Sequence, residues 1–431
     1  MTNQNQPAAE TFRKAWQSQR QNAPAWLQTF QNKALEQLAL SGFPTTRMED
    51  WKYTDVRKLA AAYPLWLINS PAAATATTGD PLDIADAIHL AFVDGVYNAE
   101  KSTGELPESI RVGKLSELAT KFPAAIEKQL GKLAKNSDSG FVAINAAFSE
   151  TAIAIMVPDG VELRQPVYIE YFSSTAESST QPRVLANLGA NSKATIVEHF
   201  SGAAPAITNA VTEIHCCQGS QLTYYRLQEE HVDTWHTAIQ YIHLERDASV
   251  NAVSIDSGAG LARNELRLCL AGSGATANAT GLLLADGSRH VDSRLIVEHA
   301  APNTRSRERY RSILADKARG VFNGRILVQQ AAQKTSAELT NRNLLLSPGT
   351  EIDTKPELEI YADDVKCAHG ATTGKLDEVS MFYLLSRGIN PQEARNILVK
   401  AFASELLSDI NIPAIVERTQ QAMRALRYSE T

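Results

Sequence analysis

The chain has 431 residues, of which 44% are hydrophobic and 21% charged, and a formal net charge of −6 at pH 7. This length supports about two or three domains, and the acidic balance argues against nucleic acid as a general partner. Residues 1–20 lack a signal-peptide core, no apolar run is long enough to span a membrane, and the four cysteines are too few for a disulfide framework. We therefore expect a cytoplasmic protein that is not bound to membranes.

The N-terminal region, residues 1–70, is predicted to be helical. Apolar residues at helical spacing indicate helices over 11–21 and 25–40, and Gly42 ends the second helix. The segment 47–54 mixes charges with aromatic residues. It is interpreted as a docking segment, with a solvated loop pinned by its tryptophan as the alternative.

Residues 71–140 are predicted to form a mixed α/β connecting region. Ala, Thr and Pro dominate 70–80, which indicates a flexible link. A strand is predicted at 90–93, followed by a turn, and a helix over 116–133 is expected to be interrupted near Pro123.

Short apolar or alternating runs dominate residues 141–374 and predict a β-rich core. They cover 152–157, 167–172, 194–200, 221–227, 239–244, 249–255, 265–270, 294–298, 324–328 and 357–361. Turn clusters at 189–192, 219–220, 247–249 and 272–274 recur at intervals of roughly 25–30 residues, a period typical of stacked solenoid coils. The sequence therefore predicts a mainly β fold, a parallel β-helix (solenoid) flanked by N-terminal and C-terminal α-helical regions, with a β-sandwich as second choice.

The C-terminal residues 375–431 are predicted to form a small helical domain. A helix over 377–387 ends at Gly388, Asn390 with the following proline begins the next helix, and a last helix covers 412–427. Such a domain after a solenoid is expected to act as a cap or as a docking module for a partner.

Two potential metal ligands, Cys367 and His369, lie two residues apart in the segment 357–374. A continuous strand over 358–369 would place both on one face, together with Tyr361, Asp363 and Val365. A thiol and an imidazole so placed are suited to share a metal or a sulfur species. The alternative is a small buried cysteine beside a hydrogen-bonded histidine. Because a structural zinc site needs four ligands, further ligands would have to come from elsewhere or from another chain.

The sequence offers no nucleotide site. The segment 370–376 resembles a phosphate-binding loop but is one residue short between its glycines and lacks Ser or Thr after Lys375.

Two other clusters have plain structural alternatives. His215 and Cys217 would share a strand face, but a core cysteine at 216 with surface neighbours is the simpler interpretation. Four arginines alternate along one predicted strand and indicate an anionic partner or an acidic protein surface, with a solvated outer face balanced by local acids as the alternative. They are Arg305, Arg307, Arg309 and Arg311.

Several ordered motifs resemble the SufB/SufD family of SUF iron–sulfur cluster assembly scaffolds, and its SufD type in particular. The match is densest over 306–402 and includes Gly-Val-Phe-Asn-Gly at 320–324, Ala-Asp-Asp-Val-Lys-Cys-Ala-His-Gly-Ala at 362–371 and Phe-Tyr-Leu-Leu-Ser-Arg-Gly at 382–388. Further matching pieces lie at 333–337, 343–347, 355–356 and 358–360, and at 42–44 and 51–54 near the N-terminus. Residues 71–135 match poorly. SufB-type chains are usually longer and richer in cysteine, which favours the SufD type.

The resemblance implies a right-handed parallel β-helix whose edges pair with a SufB-like paralogue and whose C-terminal helices dock a SufC-like ATPase. It implies a non-catalytic scaffold subunit. His369 would lie at the subunit interface and handle a transient iron–sulfur cluster or iron shared with the partner, opposite a cysteine of SufB. Cys367 matches a frequent cysteine of the family. Exposed solenoid edges also make a homodimer plausible when the chain is isolated.

Two other functions stay open on the sequence. A β-helix carbohydrate-active enzyme would need acids and bases clustered along one groove and would favour secretion. A purely architectural subunit would only stabilise its partner.

Overall fold

The structure is a computed structural model that describes residues 12, 14, 24–68, 79–104, 110–149 and 152–427. Nearly all of the predicted helix over 11–21 and most of the predicted link over 70–80 lie outside these residues. The helices are α1 (Ala25–Ser41), α2 (Arg57–Ile68), α3 (Leu115–Lys121), α4 (Pro123–Glu127), α5 (Gly140–Ala147), α6 (Glu378–Ser386), α7 (Pro391–Leu407) and α8 (Pro413–Ala425). Among these helices, none combines the length and the hydrophobicity of a bilayer-crossing segment.

The strands make up most of the chain between the two helical regions. They are β1 (Ile88–Val93), β2 (Val96–Tyr97), β3 (Arg111–Lys114), β4 (Ile153–Val157), β5 (Val167–Ser173), β6 (Ser178–Thr180), β7 (Arg183–Leu188), β8 (Lys193–Gly202), β9 (Ala206–Cys216), β10 (Gln221–Glu229), β11 (Trp235–Leu244), β12 (Ser249–Asp256), β13 (Leu261–Leu270), β14 (Thr276–Ala285), β15 (His290–His299), β16 (Arg305–Leu314), β17 (Arg319–Val328), β18 (Ser336–Leu345), β19 (Glu351–Ile360) and β20 (Lys366–Gly374).

The strands form two sheets that the chain visits alternately. The first sheet has the order β2-β1-β5-β8-β10-β12-β14-β16-β18-β20, and the second has the order β3-β4-β7-β9-β11-β13-β15-β17-β19. Pairing along both sheets is parallel from β5 and β4 onward. The result is a β-solenoid of about eight turns with helices at both termini, which confirms the predicted β-helix over the sandwich. The region 71–140 also supplies β1 and β3 to these sheets.

Stacked coils require tight corners and a narrow interior. At the corners, Gly219 and Gly274 have φ of 68° and 78°, and a Cβ on either would lie within 2.3 Å of the Asn191 or Asp247 side chain in the corner below. Inside, a Cβ on Gly281 would lie 2.1 Å from Tyr310, whose ring fills the space above this glycine. The predicted turn clusters therefore mark real corners of the coils.

The N-terminal segment 47–54 docks on the outer face of the second sheet. Trp51 stacks on Phe141 with 5.5 Å between ring centroids, and the guanidinium of Arg263 lies 3.8 Å from the Trp51 ring. Thr54 Oγ1 donates a 2.5 Å hydrogen bond to Asp292 Oδ2. The docking interpretation of this segment is thus correct, and its partner is the chain's own solenoid.

The C-terminal helices cover part of the outer face of the first sheet. Arg309 forms ion pairs with Glu405 and Asp409, and Arg311 pairs with Glu405 and donates to the Phe402 carbonyl of α7. The row is balanced by acids as one interpretation predicted, but only Arg305 and Arg307 are solvent-exposed, because Arg309 and Arg311 are largely covered where they fix α7 to the solenoid.

Candidate functional site

The C-terminal end of the solenoid is formed by β19 and β20. In the described part of the chain, β19 pairs only with β17 and β20 only with β18 along their sheets. Each strand therefore presents one edge of N–H and C=O groups that no neighbouring strand satisfies. Such an edge is a template for pairing with another chain.

The side chains of this last coil are also incompletely covered. On β17, Phe322 and Ile326 are fully buried, whereas Leu358 on β19 is only half-buried and Ile360 is 40% exposed. Tyr361, just after β19, is 62% exposed. A solenoid end needs a polar cap or a partner to cover its core, and this end is apolar.

Cys367 and His369 both lie on β20, on the face that continues the inward side of the coil below. Their ladder partners on β18 are Ala337 and Leu339, which are buried in the core. Cys367 is half-buried against that core, and His369 is exposed at the open end. The predicted sharing of one face by the thiol and the imidazole is therefore correct.

The predicted strand over 358–369 is wrong. β19 ends at Ile360 and β20 begins at Lys366, with an irregular corner at 361–365. Tyr361, Asp363 and Val365 accordingly do not share a strand face with the two ligands. The physical reason is that the chain must cross here from the second sheet to the first, which the local alternation of residues does not reveal.

The thiol and the imidazole form an incomplete donor set. Burial, with a smaller contribution from the charge of Glu308, raises the pKa of the Cys367 thiol above its ordinary value of 9.0, so the thiol is protonated at neutral pH. Within the described residues, no group of three or more His, Cys, Asp or Glu side chains is placed to hold a metal ion. Any ion or cluster bound here needs ligands from another molecule.

Glu308 is a buried carboxyl group below this site that the sequence analysis missed. It lies on the inward face of β16, with Leu339 between it and His369 in the ladder, and it is fully buried. Ser306 approaches it, yet neither carboxylate oxygen makes a well-formed hydrogen bond. Burial raises the pKa of Glu308 to about 8. The strand alternation that places the arginines outward was the available signal, since it places residue 308 inward.

A second exposed surface lies directly after β20. Residues 375–377 connect β20 to α6, on which Val379, Phe382 and Tyr383 are 75%, 72% and 56% exposed. Ile397 of α7 is 40% exposed. We call these four side chains the α6–α7 apolar surface. Exposed apolar side chains on a helical module are candidate contacts for a partner.

The cluster at 215–217 is a core cysteine with less buried neighbours, as the simpler interpretation predicted. Cys216 is fully buried in the core at the end of β9, while His215 and Cys217 are half-buried. Burial raises the pKa of the Cys216 thiol to about 12, so this thiol is inert at neutral pH.

Comparison with known proteins agrees with this architecture. Residues 171–402 match the family described as "SUF system FeS cluster assembly, SufBD core domain", and residues 2–169 match "SufBD protein N-terminal region". The iron–sulfur cluster assembly protein SufD of Escherichia coli is 31% identical over 86% of this chain and 86% of its own length.

Two further relatives match over most of their length. An iron–sulfur cluster assembly SufBD family protein of Synechocystis is 29% identical over 88% of this chain and 86% of its own length. A chloroplastic protein of Arabidopsis thaliana, ABCI7, is 28% identical over 93% of this chain and 86% of its own length. The two family matches together span the helical entry, the solenoid and the first C-terminal helices, and the chain therefore belongs to the SufBD family of the SUF iron–sulfur cluster assembly system.

Proposed function

We propose that this chain is a non-catalytic scaffold subunit on which an iron–sulfur cluster or its iron is held transiently between two proteins. The observation that carries the proposal is the pair of Cys367 and His369 at the uncovered end of the solenoid, where they supply part of a ligand set. A transient scaffold has to release its cargo, and a site shared by two chains opens when the chains separate. The four unpaired cysteines suit a reducing cytoplasm.

The partner proposed for the open end is a SufB-like paralogue. The free edges of β19 and β20 supply main-chain hydrogen bonds, and Ile360 and Tyr361 supply apolar surface. The partner would contribute the missing ligands, a thiolate first, because thiolates are the usual ligands of iron–sulfur clusters. An isolated chain is expected to use the same end to form a homodimer.

The partner proposed for the α6–α7 apolar surface is a SufC-like ATPase. Nucleotide hydrolysis belongs to that partner, since the sequence of this chain has no complete phosphate-binding loop. Because residues 375–377 are the whole link between β20 and α6, a displacement of α6 acts directly on the strand that carries His369.

The test is purification of this chain together with its SufB-like and SufC-like neighbours, followed by anaerobic loading with iron and sulfide and visible absorption of the bound cluster. We expect His369→Ala to keep the complex but lose most of the cluster. The matched control is His231→Ala, which removes a partly exposed histidine on the corner after β10. Equal loading of His369→Ala and the wild type would leave this chain with an architectural role alone.

A separate variant tests the docking surface. Phe382→Asp places a charge in the centre of the α6–α7 apolar surface and leaves the solenoid untouched, because no residue of α6 is buried. We expect the variant to keep the SufB-like partner and to lose the ATPase during co-purification. Retention of the ATPase would refute docking at this surface.

A further inference from the structure

A second set of metal-ligating side chains lies on the outer face of the second sheet, away from the open end. His215, His243, Cys269 and Glu298 are successive ladder partners on β9, β11, β13 and β15. All four are half-buried on the outer face, while the residues on either side of each point into the core. Neighbouring strands are about 4.8 Å apart, so two imidazoles, a thiol and a carboxyl group follow one another in a row.

The two imidazoles are spaced as a pair that shares an ion. The ring centroids of His215 and His243 are 6.0 Å apart, with 49° between the ring planes. A metal ion about 2.1 Å from one nitrogen of each ring would hold the two centroids roughly 5–6.5 Å apart. Nε2 of His215 is buried and has no hydrogen-bond partner among the described residues.

The electrostatics favour the ligating form of His215. Burial, and next the facing His243, lower the pKa of His215 below its ordinary value of 6.5. The imidazole is therefore neutral at pH 7, with a lone pair available for a metal ion. Imidazole ligands select borderline transition metals over Mg²⁺ and Ca²⁺.

Solvent access and further polar side chains are present beside the pair. A cavity of about 360 Å³ is lined by His243, Cys269 and Glu298. Its wall also carries the basic side chains Lys132, Lys135, Arg267 and Arg325. Glu298 is already engaged, because its Oε1 accepts a 2.8 Å hydrogen bond from Gln329 Nε2. The Cys269 thiol is half-buried in the wall of the same cavity.

We propose that His215 and His243 form a binding site for a borderline divalent transition-metal ion such as Zn²⁺ or Co²⁺ on the outer face of the solenoid. Water completes the coordination, and Cys269 joins it by rotation of its side chain. As they stand in the described structure, no three such side chains are close enough to hold an ion, so the two imidazoles are the primary ligands. The site does not depend on the role proposed for His369, which lies in the other sheet.

The test is a titration of the reduced full-length chain with Co²⁺, followed by the visible d–d bands of the bound ion. It is made in a His369→Ala background, so that the open end does not contribute. We expect His243→Gln to weaken binding by at least about tenfold, since even the loss of an outer-shell partner costs that much. His231→Gln is the matched control and should bind as the parent does.

Two further readouts complete the test. Cys269→Ser should keep the d–d bands but lose any thiolate-to-cobalt charge-transfer band. This loss would show that Cys269 is a ligand of the bound ion. Zn²⁺ should also protect His243 of the unsubstituted chain from carbethoxylation, measured by mass spectrometry, and this readout needs no variant to fold. Undiminished binding by His243→Gln, or unprotected His243 at saturating Zn²⁺, would overturn the proposal.

Discussion

The carboxyl group of Glu308 makes a quantitative prediction about stability. Burial raises its pKa from the ordinary 4.5 to about 8, so between these values the folded protein holds a proton that the unfolded chain has released. This proton-linked stabilisation is fully present below about pH 4.5 and is lost as the pH rises through about 8. From about pH 6 to about pH 8.5, the linkage relation gives a loss of about 2–3 kcal/mol at this single group.

Glu308→Gln removes the titration and keeps the shape of the side chain. The free energy of unfolding, measured by urea denaturation, should therefore fall with pH more steeply in the wild type than in the variant. The difference between the two proteins should change by about 2–3 kcal/mol over the same pH interval, in favour of the variant at the higher pH.

The matched control is Glu338→Gln on the neighbouring strand β18. Glu338 is exposed, and its pairing with Arg307 is long at 3.9 Å, so its substitution should change the free energy of unfolding little. If the Glu308→Gln difference did not change with pH, the carboxyl group would titrate normally, and the buried environment described for it below His369 would be wrong.

Three further substitutions test how the coils and the docked elements are held. Gly281→Ala should lower the free energy of unfolding in urea by about 1–3 kcal/mol, because the added Cβ meets the ring of Tyr310. An unchanged denaturation midpoint would mean that the ring moves aside without cost. Arg311→Ala should speed amide hydrogen exchange in α7, whereas Arg307→Ala should not, since only Arg311 bonds to α7. Equal exchange rates in the two variants would show that Arg311 does not hold α7 in place. Trp51→Ala should lower the free energy of unfolding by about 3–5 kcal/mol and expose the segment 47–54 to proteolysis, because the ring is buried. Continued protection of this segment from proteolysis would show that its other contacts suffice.

The ion pairs of Arg309 and Arg311 and the open end of the solenoid are connected through α6 and α7. Arg309 and Arg311 hold α7 on β16, two strands below β20 in the first sheet. Residues 375–377 tie β20 to α6. A displacement of α6 would therefore be transmitted through this short link to the strand that carries Cys367 and His369. This arrangement suits a site that opens and closes, which is what the proposed scaffold role requires.

Local sequence patterns determined the architecture well. Alternation of apolar residues and the period of the turn clusters were sufficient for a parallel solenoid, because each coil repeats the same corner and strand chemistry. Strands β2, β3, β6, β7, β9, β14 and β18 were missed. In β14 and β18 the inward positions hold small or polar side chains such as Ala277, Ala279 and Asn341, which only the neighbouring coils bury.

The ligand pair was also readable from the sequence, since Cys367 and His369 are two residues apart and any strand places such residues on one face. Only the tertiary structure decided that this strand ends its sheet, that the preceding corner separates it from β19, and that Glu308 lies buried beneath it. The row from His215 to Glu298 was likewise invisible, because its members are about one coil apart in sequence and meet only through the parallel register. Spacing along a strand is a local property, whereas burial and register are set by the coils above and below.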